Sequence, residues 1–365
     1  MTTITEIKLE KIRALQKALH NTPELSMHEK KTAALLKAFL RENTTCEIVD
    51  RGVWFYAVRR FSPDAPTVAF RADMDAIPMA STGEPFHGCG HDGHAAVVAG
   101  LAYLTEDIPC KKNLVFLFQP GEETGEGALL CRAVIKEEHI DEIYGCHSIP
   151  GYPAGEILFR EDVFACASRG MILRFAGTQC HAAYPETGHN PAFAVSRVVG
   201  ALDGFLDADT MGYRGMVLAT VVGLNVGAKA FGVSAGEGEL YLTVRAHYGE
   251  DLETLISAIR KTAEEACSRD NIALDISFVD VFPDTVCDRD TALSFREKLS
   301  ENGIPVRTLA EPMRWSEDFG WYTKETRGVF FGIGAGEDSP ALHTDAFCYN
   351  DTLLARTEEV FLLLC

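Results

Sequence analysis

The amino-acid sequence predicts an α/β protein in which an open sheet carries an inserted domain of ferredoxin-like βαββαβ order. Three observations lead to this fold class. The chain has 365 residues, which is more than one hydrophobic core usually serves. Short apolar strands alternate with helices towards both ends of the chain, as in an α/β sheet. The middle of the chain has a different succession of elements, which indicates a second compact domain.

The outer parts of the chain supply the elements of the predicted sheet. Ile12, Leu15 and Leu19 lie on one face of an opening helix, and a second helix is expected over about residues 28–41. A buried helix is expected at 95–104 and a C-terminal helix from about Thr352. The strands are expected at 67–70 (TVAF), 113–118 (NLVFLF), 142–147 (EIYGCH) and 328–336 (GVFFGIGAG).

The middle of the chain supplies the inserted domain. Strands are expected at 170–177, 216–226, 239–247 and 273–282, and helices at 191–205 and 252–268. In chain order these elements read βαββαβ, which is the ferredoxin-like unit. We therefore expect residues 1–168 and 284–365 to form one discontinuous domain and residues 169–283 to form the domain inserted into it.

Composition and charge limit the classes of partner. The chain is 47% hydrophobic and 24% charged, as is usual for a globular protein, and its formal net charge is −19. That charge disfavours nucleic acid and anionic membrane surfaces as partners. The N-terminal segment has no apolar stretch typical of a secretory signal, and no run approaches the ~18 apolar residues of a membrane span. The eleven scattered cysteines indicate reduced thiols, so we expect a cytoplasmic protein.

The segment HGCGHDGH, residues 87–94, combines a thiol, three imidazoles and a carboxylate in eight positions. Its glycines allow the backbone to fold closely around a small object. This mixture of soft, borderline and hard ligands suits a transition metal such as Zn, Mn, Co or Ni. The alternative is a polar loop with incidental histidines, because the spacing fits no zinc-finger pattern.

Acids and histidines also follow several predicted strands. Ligands of open α/β sheets bind beyond the carboxyl ends of the strands, so these side chains are expected at one edge of the sheet. Each alone has an ordinary structural alternative, such as a solvated acid or a hydrogen-bonded histidine, and only their joint placement favours a site. The residues at the strand ends are Asp73, Asp75, Glu122, Glu123, His147 and His343.

These motifs together resemble a known family. The chain is similar to the M20 metallopeptidase family, closest to its amidohydrolase branch of hippurate, N-acyl-amino-acid and auxin-conjugate hydrolases. The resemblance covers nearly the whole chain, including the opening HNTPELSMHEKKTAALL. The motifs that carry it, in the order and approximate spacing of the family, are RADMDAIP, CGHDGH, FQPGEE, CHSIPGYPAGEI, HAAYP, SEDFGWY and LHTDAF.

The resemblance implies a site with two divalent ions, in an outer catalytic domain. Glu122 matches the general base, and Asp75 matches the acid that orients a metal ligand or pocket group. His181 of the inserted lid and dimerisation domain matches a histidine that binds the substrate's carbonyl oxygen or carboxylate, often from the partner subunit. The positions that match metal ligands are Cys89, His91, Glu123, His147 and His343.

The expected reaction is hydrolysis of the amide bond of an N-acyl amino acid or related small amide. Two metals would lower the pKa of a bound water from about 16 toward 7, and Glu122 would take its proton. The alternatives are a dipeptidase or aminoacylase of the same family, and a catalytically silent homologue that binds a small molecule. A homodimer through the inserted domain is expected, because an exposed sheet edge or helix suits a symmetric contact.

Several positions depart from the family's pattern or keep two interpretations. Gly88 stands where the family usually has alanine, and GTQCHAA replaces its glycine-rich segment. The stretch AKAFGVSAGEGEL lacks an asparagine that the family usually contributes to the site, so hippurate in particular is not predicted. Asp73 is expected either to cap a turn or to serve the site. His87 and His94 are expected in supporting roles rather than as ligands.

Overall fold

The computed structural model describes residues 5–365, which form two compact units. The first unit contains residues 5–164, together with Thr285–Pro312 and Asp318–Cys365. The second unit contains Ala165–Asp284 and the short segment Met313–Glu317. The sequence does not predict that Met313–Glu317 belongs to the second unit, because five residues are too few to show a periodic pattern.

Eleven α-helices and one turn of 3₁₀ helix at Pro185–Thr187 occur in the described part of the chain. The helices are α1 (Glu6–His20), α2 (Lys30–Asn43), α3 (His91–Thr105), α4 (Gly127–Cys131), α5 (Val134–Glu137), α6 (Ala192–Phe205), α7 (Ala208–Met211), α8 (Gly249–Asp270), α9 (Arg289–Glu301), α10 (Gly320–Thr323) and α11 (Leu353–Leu362).

The strands of the described chain are β1 (Glu47–Asp50), β2 (Phe55–Arg59), β3 (Thr67–Asp73), β4 (Ile77–Pro78), β5 (Pro85–Phe86), β6 (Asn113–Gln119), β7 (Glu142–Ile149), β8 (Ile157–Phe159), β9 (Val163–Ala165), β10 (Ala167–Ala176), β11 (Val217–Val226), β12 (Glu237–Ala246), β13 (Ala273–Phe282), β14 (Thr285–Val286), β15 (Val306–Thr308) and β16 (Arg327–Gly334).

The first unit is built on a mixed sheet of eight strands in the order β1-β2-β6-β3-β7-β16-β8-β15. Its four central strands, β6, β3, β7 and β16, are parallel to their neighbours within this group. β2 runs antiparallel to β6, and β8 runs antiparallel to β16. Every residue of β3 and β6 is buried, as expected for strands covered on both faces. The predicted α/β class is confirmed.

The second unit contains a four-stranded antiparallel sheet in the order β11-β12-β10-β13. In chain order its strands and two long helices read β10, α6, β11, β12, α8 and β13. Burial alternates along β12, where Leu240, Leu242 and Val244 are buried. These side chains share one core with apolar residues of α6 and α8, so the two helices cover one face of the sheet.

Helix α3 begins at His91, four residues before the start that the apolar pattern predicts. Gly90 has a φ of +87°, which turns the chain directly into the helix at little cost for a residue without a side chain. Asp92 in the first turn is fully buried and accepts hydrogen bonds from Gln16 (2.9 Å) and His20 (2.8 Å) of α1. The opening helix is thus fixed to the first turn of α3.

Among residues 5–365, no helix is both long and apolar enough to cross a membrane.

Glu358 of α11 is a carboxyl group buried in the core of the first unit. Its side chain lies against Gly100 of α3, and its exposed fraction is 0%. Neither carboxyl oxygen has a hydrogen-bond partner among the described residues. Burial therefore raises the pKa of Glu358 well above its usual value, which favours the protonated form in the folded protein.

We expect Glu358→Met to raise the free energy of unfolding at pH 7 by about 1–3 kcal/mol, because an unpartnered buried polar group is removed. The unfolded chain ionises this carboxyl above its ordinary pKa and the folded chain does not, so the wild type loses stability as pH rises above about 4.5. Denaturant unfolding of the metal-free proteins at pH 7 and near pH 4.5 measures the gain and its decrease at acid pH. The matched control is Glu359→Gln, whose side chain is partly exposed and pairs with Arg356. An equal gain in both variants would contradict the explanation.

Candidate metal centre

Six of the acids, thiols and histidines predicted for the site lie at the carboxyl edge of the large sheet. The four central strands are parallel, so the segments that follow β3, β6 and β16 emerge at the same edge of the sheet. The last residues of β7 also lie at this edge. α3 begins at this edge with His91, two residues after Cys89. The side chains that the fold brings together are Cys89, His91, Glu122, Glu123, His147 and His343.

The thiol of Cys89 lies between two imidazoles. Its Sγ is 3.2 Å from His147 Nε2 and 3.3 Å from His343 Nε2. The Nδ1–H of His147 donates to the carbonyl of Ser148 at 2.8 Å, so the lone pair of the ring is on Nε2, which faces the thiol. The backbone amide of His343 donates to the carbonyl of Gly88 at 2.9 Å, which joins the two loops that carry these side chains.

His91 is oriented by Asp75 and faces a group of carboxylates. Its Nδ1 is 3.0 Å from Asp75 Oδ1, and its Nε2 lies 3.8 Å from Glu123 Oε1 and 4.0 Å from Glu122 Oε2. The other oxygen of Asp75 accepts from the hydroxyl of Ser26 (2.7 Å) and the backbone amide of Glu123 (3.1 Å). A carboxylate behind a histidine is the usual arrangement that fixes the tautomer of a metal-binding imidazole.

The donor set fits divalent cations. His91 Nε2 and Glu123 Oε1 are buried and have no hydrogen-bond partner among the described residues. Cys89, His91 and His147 form one group whose ligand atoms lie within 4.8 Å of one another, and Cys89, Glu123 and His343 form another. Cys89 belongs to both groups, so the two sets of donors are adjacent. Thiolate, imidazole and carboxylate are the ligands of Zn and related metals.

Charge is balanced behind the cluster by a buried arginine. Arg71 donates to Asp73 and Asp318, both at 2.7 Å, and the three side chains are buried. Asp73 in turn accepts from His94 Nδ1 at 2.8 Å, while His94 Nε2 accepts the amide of Ser148 at 3.1 Å. Burial alone would raise the pKa of Asp73, but the positive charges of His91 and Arg71 hold it well below its usual value. Asp73 is therefore a member of this charge network.

The remaining sequence candidates occupy different surroundings. His94 has the supporting position just described. His87 is buried, but neither of its ring nitrogens has a partner among the described residues, and burial lowers its pKa. His181 lies in the second unit, where it is exposed and its Nδ1 accepts the backbone amide of Ala183 at 3.0 Å. The first unit alone therefore holds the cluster of donors.

Sequence reasoning missed several residues that support the site. Arg71 and Gln119 belong to the buried network, and Tyr322 donates to Gln119 at 2.8 Å. An arginine within the apolar strand TVAFRAD is a signal that could have indicated a buried ion pair. Ser26 and Glu29 lie in the PELSMHE segment, for which no local pattern indicates a contact with residues about 50 to 90 positions later.

In the metal-free protein the surroundings favour the protonated forms of three proposed ligands, His91, Cys89 and His343. Burial opposes the charge on His91, but Asp73 and Asp75 raise its pKa to about 10. Burial and the nearby Glu123 raise the pKa of the Cys89 thiol well above its usual value. The carboxylate of Glu123, whose Oε1 lies 3.4 Å from His343 Nε2, raises the pKa of His343. The imidazolium of His91 thus supplies positive charge that a bound cation would replace.

A buried cluster of this kind at the carboxyl edge of an α/β sheet is typical of metal-dependent hydrolases. Residues 69–364 match the profile of peptidase family M20/M25/M40, which covers most of the chain. The protein belongs to this family. It is accordingly a metal-dependent amidohydrolase, and the resemblance inferred from its motifs is confirmed.

Two deacetylases and one solved structure illustrate the similarity of this chain to other proteins. The N-acetyldiaminopimelate deacetylase of Oenococcus oeni is 29% identical over 370 residues, covering 96% of each chain. The enzyme of the same name from Exiguobacterium sibiricum is 27% identical over 344 residues, covering 90% of this chain and 91% of its own. The YXEP protein of Bacillus subtilis, a dinuclear metal binding peptidase of the M20 family, has the same fold. It is 23% identical with a TM-score of 0.81, covering 99% of this chain and 98% of its own.

We expect metal binding to the apo protein at pH 7 to release about two protons, from His91 and Cys89, because metals bind neutral imidazole and thiolate. Affinity should therefore fall as pH is lowered. Calorimetric titration with Zn²⁺ or Mn²⁺ in buffers of different ionisation enthalpy measures the protons released. Cys89→Ser should bind more weakly and release about one proton fewer. Binding without proton release, or an unchanged affinity in Cys89→Ser, would contradict the assignment of these ligands.

Proposed function

We propose that the protein hydrolyses the amide bond of N-acyl amino acids or related small amides at two divalent ions. The observation that carries this proposal is the pair of donor groups that share Cys89, with the carboxylate of Glu122 beside them. The names of the two deacetylase relatives support an acylated amino acid as the substrate class. Family membership supports hydrolysis rather than binding alone.

The ligands proposed for the ions are Cys89, His91, Glu123, His147 and His343. When bound, the two ions supply Lewis-acid polarisation of the scissile carbonyl and a lowered pKa for the attacking water. Zn, Mn, Co and Ni all suit such donors, and availability decides among them. Asp75 holds the His91 ring, and Ser148 holds the His147 ring, so that each presents Nε2 to the cluster.

Glu122 is the proposed general base. It follows β6 next to Glu123, and consecutive residues of a turn direct their side chains differently, so one carboxylate binds metal while the other exchanges protons. Glu122 Oε2 lies 4.0 Å from His91 Nε2, at the border of the donor cluster, and the residue is buried. It would take the proton of the attacking water and pass it to the leaving amine.

His181 is the proposed donor to the substrate's carbonyl oxygen or carboxylate. The backbone amide of Ala183 donates to its Nδ1, so the neutral ring carries its hydrogen on Nε2. The side chain is exposed on the second unit, which leaves it available to a ligand. A well-placed donor to a developing oxyanion contributes roughly 2.7–4 kcal/mol to transition-state stabilisation.

We expect the metal-loaded protein to hydrolyse members of a panel of N-acyl amino acids, with N-acetyldiaminopimelate included, and to lose this activity on chelation. Glu122→Gln should retain its metal and lose at least 99% of turnover, because the proton acceptor is gone. Release of the free amine and elemental analysis of the protein provide the two measurements. The matched control is Glu126→Gln, an exposed acid of the same loop, which should keep wild-type activity.

The same panel separates the alternatives. Dipeptides cleaved in preference to acyl amino acids would identify a dipeptidase. A metal-loaded protein that cleaves no amide but binds a small molecule tightly would identify a silent homologue, which the altered sequence of residues 228–240 favours. Full activity of Glu122→Gln would remove Glu122 as the base.

We also propose a homodimer formed through the second unit, in the cytoplasm. β11 is an edge strand of its sheet, and Val221, Val222 and Leu224 of this strand are exposed apolar residues. An apolar sheet edge suits a symmetric contact between two copies. All eleven cysteines are unpaired, which suits a reducing compartment.

We expect light scattering at micromolar concentration to give the mass of a dimer. Val222→Lys should shift the mass to that of the monomer, because a charge would be buried at the contact. The control is Ile7→Lys, an exposed apolar position of the first unit that should leave the mass unchanged. A monomeric wild type would contradict the proposal.

A further inference from the structure

The connection between α1 and α2, residues 21–29, lies against two loops of the metal centre. The backbone amide of Ala76 donates to the carbonyl of Glu24 at 2.8 Å, and Leu25 forms a parallel bridge with Ala76. This pairing holds the connection beside Asp75, one residue before Ala76. A segment near the N-terminus is thus part of the surroundings of the site, although none of its residues is a proposed ligand.

Two side chains of the connection bind the site loops from different sides. The hydroxyl of Ser26 donates to Asp75 Oδ2 at 2.7 Å, and Asp75 in turn holds His91. Glu29 Oε1 accepts the backbone amide of Gly121 at 2.8 Å. Gly121 immediately precedes Glu122, so this bond anchors the turn that carries both carboxylates of the Glu pair.

The turn after β6 depends on this anchor. Gly121 has a φ of +57°, and its carbonyl accepts the amide of Gly127 at 3.1 Å, which closes the turn on itself. The amide of Gly121 points the other way, to Glu29. Met27 has a φ of +66°, is held by the same Glu29 oxygen at 3.0 Å, and packs its sulfur against Gly121. Glu29 Oε1 thus accepts a backbone amide from each of the two segments, Met27 and Gly121.

Glu29 is a buried acid rather than a surface one. Its exposed fraction is 3%, and its Oε2 has no hydrogen-bond partner among the described residues. Burial and the charge of Asp75 raise its pKa to about 7, against the lowering effect of its backbone hydrogen bonds. Burial of a polar group costs free energy of folding, and its hydrogen bonds offset only part of that cost. A buried carboxyl group at this position therefore suggests a role beyond stability.

We propose that Glu29 is a positioning residue for the hydrolytic reaction, which acts through the Gly121 amide on Glu122 and Glu123. This inference rests on the proposed function of those two carboxylates. Loss of the anchor would let the turn move, and a displacement of about 1 Å is enough to lower turnover strongly. Residues that orient metal ligands typically change affinity or activity by roughly 10–100-fold when they are replaced.

Glu24 provides a matched control within the same connection. Its carboxylate accepts the backbone amides of Lys31 (2.7 Å) and Thr32 (2.9 Å), at the start of α2. It therefore resembles Glu29 as a carboxylate that binds backbone amides, but its partners belong to α2 and not to a site loop. Its replacement reports what is lost when the connection is merely destabilised.

The test compares Glu29→Ala, Glu29→Gln and Glu24→Ala with the wild type. At saturating metal, we expect Glu29→Ala to lower kcat at least tenfold while KM changes less than threefold. Glu29→Gln should recover most of this loss, because its amide oxygen accepts the Gly121 amide. Glu24→Ala should keep kcat within twofold. Titration of the apo proteins with Zn²⁺ should show at least tenfold weaker binding for Glu29→Ala than for the wild type, and near wild-type binding for Glu29→Gln and Glu24→Ala.

The outcomes separate this inference from the function on which it rests. If wild-type protein cleaves no amide, the proposed function fails, and the Zn²⁺ titration still decides whether Glu29 positions the ligands. If Glu29→Ala keeps wild-type kcat and Zn²⁺ affinity, the inference is wrong. It is equally wrong if Glu24→Ala produces the same losses, or if Glu29→Gln is as impaired as Glu29→Ala.

Discussion

Asp73, Asp75 and Glu123 surround the imidazole of His91, which is completely buried. Carboxylates so close together, and so far from water, repel one another unless positive charge lies among them. Arg71 supplies one positive charge from inside the sheet, and the protonated His91 ring supplies another in the metal-free protein. Divalent ions would supply more. The need to compensate this buried negative charge explains why the surrounding network is so extensive.

That constraint accounts for the role of the outer helices. Asp92 is buried beside the site and is bound by Gln16 and His20 of α1, while Ser26 and Glu29 of the following connection bind the site loops. The N-terminal region is therefore not a detachable addition to the sheet. Its polar side chains add donors and acceptors to those that the loops at the carboxyl edge provide for one another.

The metal loop also shows how a family departure is accommodated. A Cβ atom on Gly88 would lie 2.4 Å from the ring of Phe86 and 2.8 Å from Ile77. Phe86 and Ile77 face one another in the short antiparallel hairpin of β4 and β5. The ring of Phe86 thus occupies the space that a side chain at position 88 would need. The carbonyl of Gly88 still accepts the hydrogen bond from the amide of His343. The departure changes the wall beside Cys89, and the donors remain together.

The sequence alone determined which chemical groups follow which strands, because apolar periodicity and side-chain type are local properties of a chain. The placement of Asp75, Glu123 and His147 after or within buried strands was therefore predictable, as was the α/β class. Their approach to one another depends on the order β6-β3-β7-β16, which no local pattern contains. Only the tertiary structure decided that the His94 ring bonds to Asp73 and Ser148, while the His87 ring has no hydrogen-bond partner among residues 5–365. It also decided that Arg71 meets Asp318 across 247 positions and that Glu29 reaches Gly121. Such contacts join residues that are remote in sequence. Burial makes each contact important for stability, because a buried charge without a partner is not solvated by water.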